Sequence, residues 1–426
     1  MTPGQRLTLT VEKPAAGGRM IARHDGAIVL VSAAIPGEVV EAAVEKFQRG
    51  TIWARTMRVV EASPDRVEAG RDWSCGGNVF AHVAYPRQLT LKAEIIRDAL
   101  TRIGRIAPPE TVPIAGSPTD GYRMRARLHV DRGAIGFYKE GTHILCDPAL
   151  TRQLLPATTT ALLDLEAALE ELPKLQVLDV EVAENCAADQ RAIHLVLEPN
   201  ANGRQLASLP QIAGVSGISY GYDLAPRAET VWGSPEVTDT IRVTDRASAF
   251  DLTLTRHARS FFQGNRFLLA DLVSAAVAAV PAGRVLDLYA GVGLFSTALA
   301  ARGDCDVIAV EGDRAAADDL AANAARAAGK VSVRHQAVET YLVVEPPTGI
   351  ETLIVDPPRT GMSKEAVAGV IALGARRIVY ISCDVATFAR DTRTLIDAGY
   401  TLSELRGFDL FPNTAHVESL AVFEHA

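Results

Sequence analysis

The stretch GRVLDLYAGVGLFSTALAARGDCDVIAVEGD, residues 283–313, leaves this chain little freedom of fold. Val285 to Leu288 form a short apolar run, Gly291 and Gly293 punctuate a tight turn, and an Ala/Leu-rich helical segment follows. CDVIAVE is a second apolar run, closed by the acid Glu311. A strand, a glycine turn, a helix and a second strand ending in an acid open a doubly wound parallel sheet that holds a nucleoside. The glycines let the backbone approach the ligand, and the carboxylate accepts hydrogen bonds from ribose hydroxyls.

The turn itself separates two ligand classes. Its pattern is DxYxGxG rather than GxGxxG, with Asp287 directly before it. A carboxylate beside a single nucleoside half-site suits the sulfonium and amino group of S-adenosylmethionine. A pyrophosphate wants an open helix N-terminus instead, so a nicotinamide enzyme is the second reading. The next apolar run, TLIVDPPRTGMS, ends at Asp356 and two prolines that stiffen the loop facing the ligand crevice. RRIVYISC then delivers Cys383 to the same edge. A free thiol with an ordinary pKa of about 8.5 is only a few per cent thiolate at neutral pH, yet sulfur is nucleophilic enough for that fraction to matter.

The chain's 426 residues exceed one ordinary core, so two or three domains are expected. A hydrophobic content of 48% with 22% charged residues describes a soluble globular protein. Neither a basic start followed by an apolar core nor an apolar run of about 18 residues occurs, so a cytoplasmic location without membrane contact is expected. Five scattered cysteines are too few for a disulfide framework and fit a reducing compartment. The net charge of −8 excludes a wholly basic surface but allows a local patch.

Residues 1–62 alternate apolar and polar positions between Gly and Pro punctuation, the pattern of short strands closing a small barrel. Arg19, Arg23, His24, Lys46, Arg49, Arg55 and Arg58 could give that barrel a positive face, or be ordinary solvated charges. Residues 63–250 read as a central β-rich domain. Within it, a helix over 86–104 ending at Gly104 is placed to pack on the C-terminal domain. YRMRARLHVDRGAIGFYKEG reads as a hairpin around Asp131 to Gly133, with Arg123, Arg125 and Arg127 on one strand face, meeting an RNA phosphate or a carboxylate, or else simply solvated. Residues 151–250 hold a helix, several strands and no catalytic constellation. Residues 251–426 form the third domain.

Six motifs in order carry a resemblance: FFQGNRF (261–267), DLYAGVGLFS (287–296), VEGD (310–313), DPPRTG (356–361), YISCDVATFARD (380–391) and FDLFPNTAHVESLAVFE (408–424). Together the chain resembles the S-adenosylmethionine-dependent RNA uracil-5-methyltransferase family. The N-terminal barrel resembles the TRAM domain that several members carry. The fold so implied is α/β: a Rossmann-like class I methyltransferase domain behind a TRAM/OB-like barrel and a central α+β domain.

By that resemblance Cys383 is the nucleophile and Glu418 the base. Gln263, Tyr289, Gly291, Glu311 and Asp356 contact the cofactor, and Asn265 lies where its amide could close over it. Uracil C5 is a poor nucleophile, and thiolate addition at C6 makes an enolate that carries electron density at C5. Once the methyl group has been transferred to C5, the adduct must lose the C5 proton and expel sulfur, which needs a base beside the nucleophile.

One departure from the family is informative. Some members hold a four-iron, four-sulfur cluster with a Cys, a CGGC pair and a later Cys. Here Cys75 keeps the first CGGC position, Asn78 replaces the second, Ala69 stands upstream, and Cys146 matches the later ligand. Two thiolates of four remain, so the expectation is no cluster and no metal, with Cys75 and Cys146 as remnants. Gly76 and Gly77 are expected to serve the loop's backbone path. The expected substrate is a uridine of structured RNA, 23S rRNA before tRNA, bound partly by Lys46, Arg49, Arg123, Arg125 and Arg127, with no obligate protein partner. A methyltransferase for another target and a non-catalytic RNA-binding factor are the alternatives.

Overall fold

The computed structural model describes residues 2–172, 174–223, 227–245, 248–327 and 330–425. Strands β1 (Arg6–Pro14), β2 (Met20–His24), β3 (Ala27–Ser32), β4 (Val39–Gln48) and β5 (Thr51–Glu61) close a barrel in the order β1-β2-β3-β5-β4. Alternation builds it: Leu7, Leu9 and Val11 point inward while Thr8 and Thr10 face solvent. Closure leaves no free strand edge.

Helix α1 (Tyr85–Arg102) comes next, started by Pro86, whose missing N–H costs nothing in the first turn. It buries Ile95, Ile96, Ala99 and Leu100 in one core with Val355, Tyr380 and Phe388 of the C-terminal body. The two-residue strand β6 (Ile114–Ala115) joins the C-terminal sheet.

The central body is a seven-stranded sheet. Its elements are β7 (Arg125–Asp131), β8 (Ala134–Tyr138), β9 (Leu145–Cys146), α2 (Pro148–Thr151), α3 (Pro156–Glu170), β10 (Val177–Glu184), β11 (Arg191–Leu197), β12 (Gly217–Tyr222) and β13 (Glu229–Gly233). The strand order is β13-β12-β11-β10-β7-β8-β9. Ala161, Leu162 and Leu165 of α3 seal its core.

The hairpin β14 (Glu236–Thr244) and β15 (Ala249–His257) leads into the C-terminal body. The remaining chain alternates α4 (Leu269–Ala279), β16 (Gly283–Leu288), α5 (Leu294–Arg302), β17 (Cys305–Glu311), α6 (Arg314–Arg326), β18 (Val331–His335), α7 (Val338–Val344) and β19 (Thr352–Val355). It ends with α8 (Lys364–Leu373), β20 (Arg377–Ser382), α9 (Val385–Asp397), β21 (Tyr400–Phe408) and β22 (Glu418–His425). These strands form a sheet of order β18-β17-β16-β19-β20-β22-β21-β6, parallel from β18 to β20. Leu353, Ile354 and Val355 are fully buried, as a central parallel strand covered on both faces requires.

A domain boundary at 250 runs through β15. The β14–β15 hairpin packs on α4, α5 and α6, and its Ile241, Val243, Leu252 and Leu254 share the C-terminal core, so both strands go with that body. Among the described residues no helix is long and apolar enough to cross a membrane.

Candidate active site

Between β16 and β19 the order of the strands reverses, and their carboxyl ends part into a crevice. Asp287 lies near the end of β16, Glu311 ends β17, Asp356 follows β19 and Cys383 follows β20. Strand β22 runs antiparallel to β20, so its first residue, Glu418, comes to the same edge. Ser382 pairs with Ser419 as the last rung there, and Cys383 and Glu418 lie one residue beyond it.

The crevice is rich in acids and poor in positive charge. Asp287 is wholly buried; its Oδ2 accepts a hydrogen bond from the Ser296 hydroxyl, and its Oδ1 has no partner among the described residues. Burial, with Asp356 and Glu311 adding to it, pushes Asp287 up to about 7. Asp356 is also pushed up to about 7, by burial and then by Glu311. Glu418, 3% exposed, is held well above the usual carboxylate range by burial and then by Asp356. Burial, Glu418 and Asp356 push the Cys383 thiol up to about 12, with Arg359 opposing. The thiol is therefore less ionised in this state than the ordinary value used for the sequence implies.

These groups fit a cationic nucleoside. A sulfonium or ammonium brought among Asp287, Asp356 and Glu418 supplies the missing charge. Glu311 accepts N–H hydrogen bonds from Gly291 (2.8 Å) and Asp313 (2.6 Å), which leaves lone pairs for two ribose hydroxyls. The turn that offers the Gly291 N–H is left-handed, with φ of 62° at Tyr289, 55° at Gly291 and 92° at Gly293. At Gly293 a Cβ would also run into Leu320. Tyr289 is half-buried beside Glu339; burial, and then the Glu339 charge, raise the phenol above its usual range. Gln263 donates from Nε2 to Asp356 Oδ2 at 3.4 Å. Further along the same loop, Ser363 caps α8 by accepting from Ala366 N.

Asn265 corrects an expectation. Its amide donates to Ser117 Oγ and Leu410 O and accepts from the Phe267 and Leu268 N–H groups, so it is fully engaged inside the fold. It braces the loop after β21 and is not free to close over a ligand.

That loop is held by residues the sequence did not single out. Lys92 of α1 forms an ion pair with Asp409, both side chains 0% exposed, and Tyr85 donates to the same carboxylate at 2.9 Å. Gln88 donates to Asn413 Oδ1 and accepts from Asn413 N. Helix α1 thereby fixes residues 409–413 on the way to Glu418. Behind Cys383, Asp384 caps α9 by accepting from Ala386 N and Thr387 N, and Thr387 donates to Arg359 O.

The arginine face expected for RNA is largely satisfied within the protein. Arg123 lies before β7, donates to Gln153 Oε1 and stacks over Phe137. Arg125 donates to Ser260 O and stacks over Phe261, while Arg127 pairs with Asp179 at 2.6 Å. On the barrel, Arg19, Arg23 and Arg58 face Glu45, Glu12 and Glu41. Lys46 has no acid partner among the described residues and lies over Trp53; Arg49 is exposed with φ 51° at the β4–β5 turn.

Cys75 and Cys146 are joined in a disulfide, a pairing the sequence reading did not expect, with Cα atoms 6.0 Å apart. Asn78 donates to Asp72 O and Thr151 O and pegs the same loop. At Gly77 the backbone is not left-handed, and a Cβ there would displace the end of the Gln153 side chain.

Residues 347–425 match the tRNA (uracil-5-)-methyltransferase family model, and residues 1–55 match the TRAM domain. The 23S rRNA (uracil(1939)-C(5))-methyltransferase RlmD of Halomonas elongata is 32% identical over 99% of this chain and 90% of its own length. That of Pseudomonas putida is 32% identical over 99% of this chain and 94% of its own. Among solved structures, the Pyrococcus abyssi tRNA (uracil-54, C5)-methyltransferase in complex with S-adenosyl-L-homocysteine superposes with a TM-score of 0.74. It covers 98% of this chain and 100% of that one at 23% identity, a likeness of fold.

Proposed function

The chain belongs to the S-adenosylmethionine-dependent RNA uracil-C5-methyltransferase family, and from that membership we propose that it methylates C5 of a uridine in 23S rRNA, with Cys383 as nucleophile and Glu418 as base. The observation that supports the residue roles is the β20–β22 register, whose last rung, Ser382 with Ser419, directly precedes Cys383 and follows Glu418 at the acidic end of the sheet.

S-adenosylmethionine supplies the methyl group. Asp287, Asp356 and Gln263 would hold its charged end, Glu311 and the Gly291 turn its ribose, and Tyr289 the flank of the nucleoside. Cys383, once ionised, adds to uracil C6 and pushes electron density to C5. After C5 is methylated, Glu418 in its ionised form takes the C5 proton, and the electrons of that C–H bond rebuild the 5,6 double bond as sulfur leaves. Burial and Asp356 hold the Glu418 carboxyl above its usual range, and a cation among the acids favours the ionised form that this step needs.

The test is to map 5-methyluridine in 23S rRNA and tRNA from a deletion strain, from its parent, and from the strain complemented with the wild-type or Cys383→Ala gene. Loss of one 23S rRNA site, restored only by the wild-type gene, is expected. Loss of a tRNA site instead would move the substrate, and no loss would overturn the reading.

A further inference from the structure

Two kinds of cation stand on the barrel. Arg19, Arg23 and Arg58 face acids, with Arg19 also lying over Trp53, whereas Lys46 and Arg55 have no acid partner among the described residues and lie against tryptophans. Lys46 Nζ is 4.7 Å from the Trp53 ring centre, and the Arg55 guanidinium 5.1 Å from that of Trp73. Trp53 and Arg55 alternate on β5, so they share its outer face. Trp73, 38% exposed, stands in the loop that the disulfide ties to β9.

Beside Trp73 and Arg55 a cleft of about 200 Å³ separates the barrel from the β8–β9 turn, whose Lys139 forms part of its wall. Lys139 also has no acid partner among the described residues; the nearby Glu140 faces Arg19 at 3.9 Å. The cleft's other end abuts the loop that leads to Glu418. Gly18 packs so closely on the loop before β22 that a Cβ there would sit 2.6 Å from Ala415 Cβ. Phe80, also in the wall, donates its backbone N–H to Asn413 O at 2.7 Å. The same loop ends at Glu418.

An exposed indole, two unpaired cations and room for one planar ring are the parts of a site for a single unpaired nucleotide: the ring stacks, and the cations meet the flanking phosphates. We infer that this cleft binds an extruded nucleotide of the RNA substrate close in sequence to the target uridine, with its base on Trp73 and its phosphates at Arg55 and Lys139. Stacking is tolerant of base identity, so the cleft would fix the path of the strand rather than read its sequence. The inference rests on the protein's being an RNA enzyme.

The test couples the indole to one nucleotide. Full-length wild type, Trp73→Ala and Trp73→Phe are titrated with a 23S rRNA fragment containing the methylated uridine, and with the same fragment made abasic at each flanking position in turn. Trp73→Ala is expected to weaken binding about tenfold and to raise KM while leaving kcat at saturating RNA unchanged, with Trp73→Phe restoring most of the loss. One abasic position should weaken wild type to the same extent and add nothing to Trp73→Ala. If no position couples to Trp73, or if kcat falls with KM unchanged, the inference is overturned. Binding by Cys383→Ala keeps the two readings apart, because coupling to Trp73 can be measured whether or not the fragment is methylated.

Discussion

Cys383 and Glu418 stand one residue beyond the last rung that joins β20 to β22, where Ser382 pairs with Ser419. Neighbours across an antiparallel ladder lie close enough for a thiol and a carboxylate to serve one ring. The proposed roles separate on substitution. Cys383→Ala should abolish methylation and form no covalent complex. Glu418→Gln should still add to C6 and accept the methyl group, then stall before proton loss, with turnover lowered by a factor of about 10²–10⁴. A denaturation-resistant protein–RNA complex in Glu418→Gln alone is the readout; the same complex in Cys383→Ala would remove the nucleophile assignment.

Thiol reactivity tests the field of the crevice. Burial, Glu418 and Asp356 hold Cys383 up at about 12 in the ligand-free protein, so alkylation by iodoacetamide should stay slow until strongly alkaline pH. S-adenosylmethionine and S-adenosylhomocysteine share nearly one shape but differ by the sulfonium charge. The midpoint of the alkylation profile should fall with the first and less with the second. Arg359→Gln should raise it, because Arg359 favours the thiolate. Equal midpoints for the two ligands would show that charge is not what tunes the thiol.

Asp287 links binding to stability. Its folded pKa of about 7 lies above the ordinary 3.8, so the folded state holds this proton more tightly than the unfolded state. The stability tied to it is whole below pH 3.8, declines between the two values and is gone above about 7. Asp287→Asn carries no such charge and should stabilise the ligand-free protein at pH 8, by up to about 4 kcal/mol for a shift of this size, with no gain near pH 4. It should at the same time weaken S-adenosylmethionine binding. Urea melts at the two pH values and calorimetric titration check both halves.

The buried pair of Lys92 and Asp409 predicts a different response. Replacing one partner leaves an uncompensated charge in the core, at a cost of about 3–5 kcal/mol, whereas Lys92→Met with Asp409→Leu should recover much of it. Both single variants should lose activity as well, since this pair anchors the loop leading to Glu418. Melting curves of the three variants decide it; additive losses in the double variant would mean that the two charges act independently.

What the sequence made legible was whatever lies in contiguous residues. The apolar runs ending in Asp287, Glu311, Asp356 and Cys383 announce a parallel sheet and its ligand edge, because each strand carries its own chemistry at its own end. Contacts across the chain left no such trace. Lys92 and Asp409 are 317 positions apart, and a lysine in an amphipathic helix reads as a solvated charge. Cys75 and Cys146, 71 apart, read as separate thiols for the same reason. The three alternating arginines were visible as a face, but Gln153, Ser260 and Asp179, which meet them, come from distant segments. The strands Glu236–Thr244 and Ala249–His257 alternate like any half-exposed hairpin, so nothing local assigns them to the C-terminal core rather than the central sheet.

The division between paired and unpaired cations can itself be measured. A phosphate contact releases counterions, so each one lost should lower the slope of log affinity against log salt by about 1. Arg127 is already neutralised by Asp179, and Arg127→Ala should leave both the affinity for the 23S rRNA fragment and its salt slope close to wild type. Lys46→Ala and Arg55→Ala remove cations that no acid meets among the described residues, and each should weaken binding and flatten the slope. Filter binding from about 50 to 200 mM salt makes the comparison over the range where such contacts dominate. If Arg127→Ala flattens the slope as much as Lys46→Ala does, the Arg127–Asp179 pair opens on RNA, and internal pairing is no guide to which cations the substrate meets.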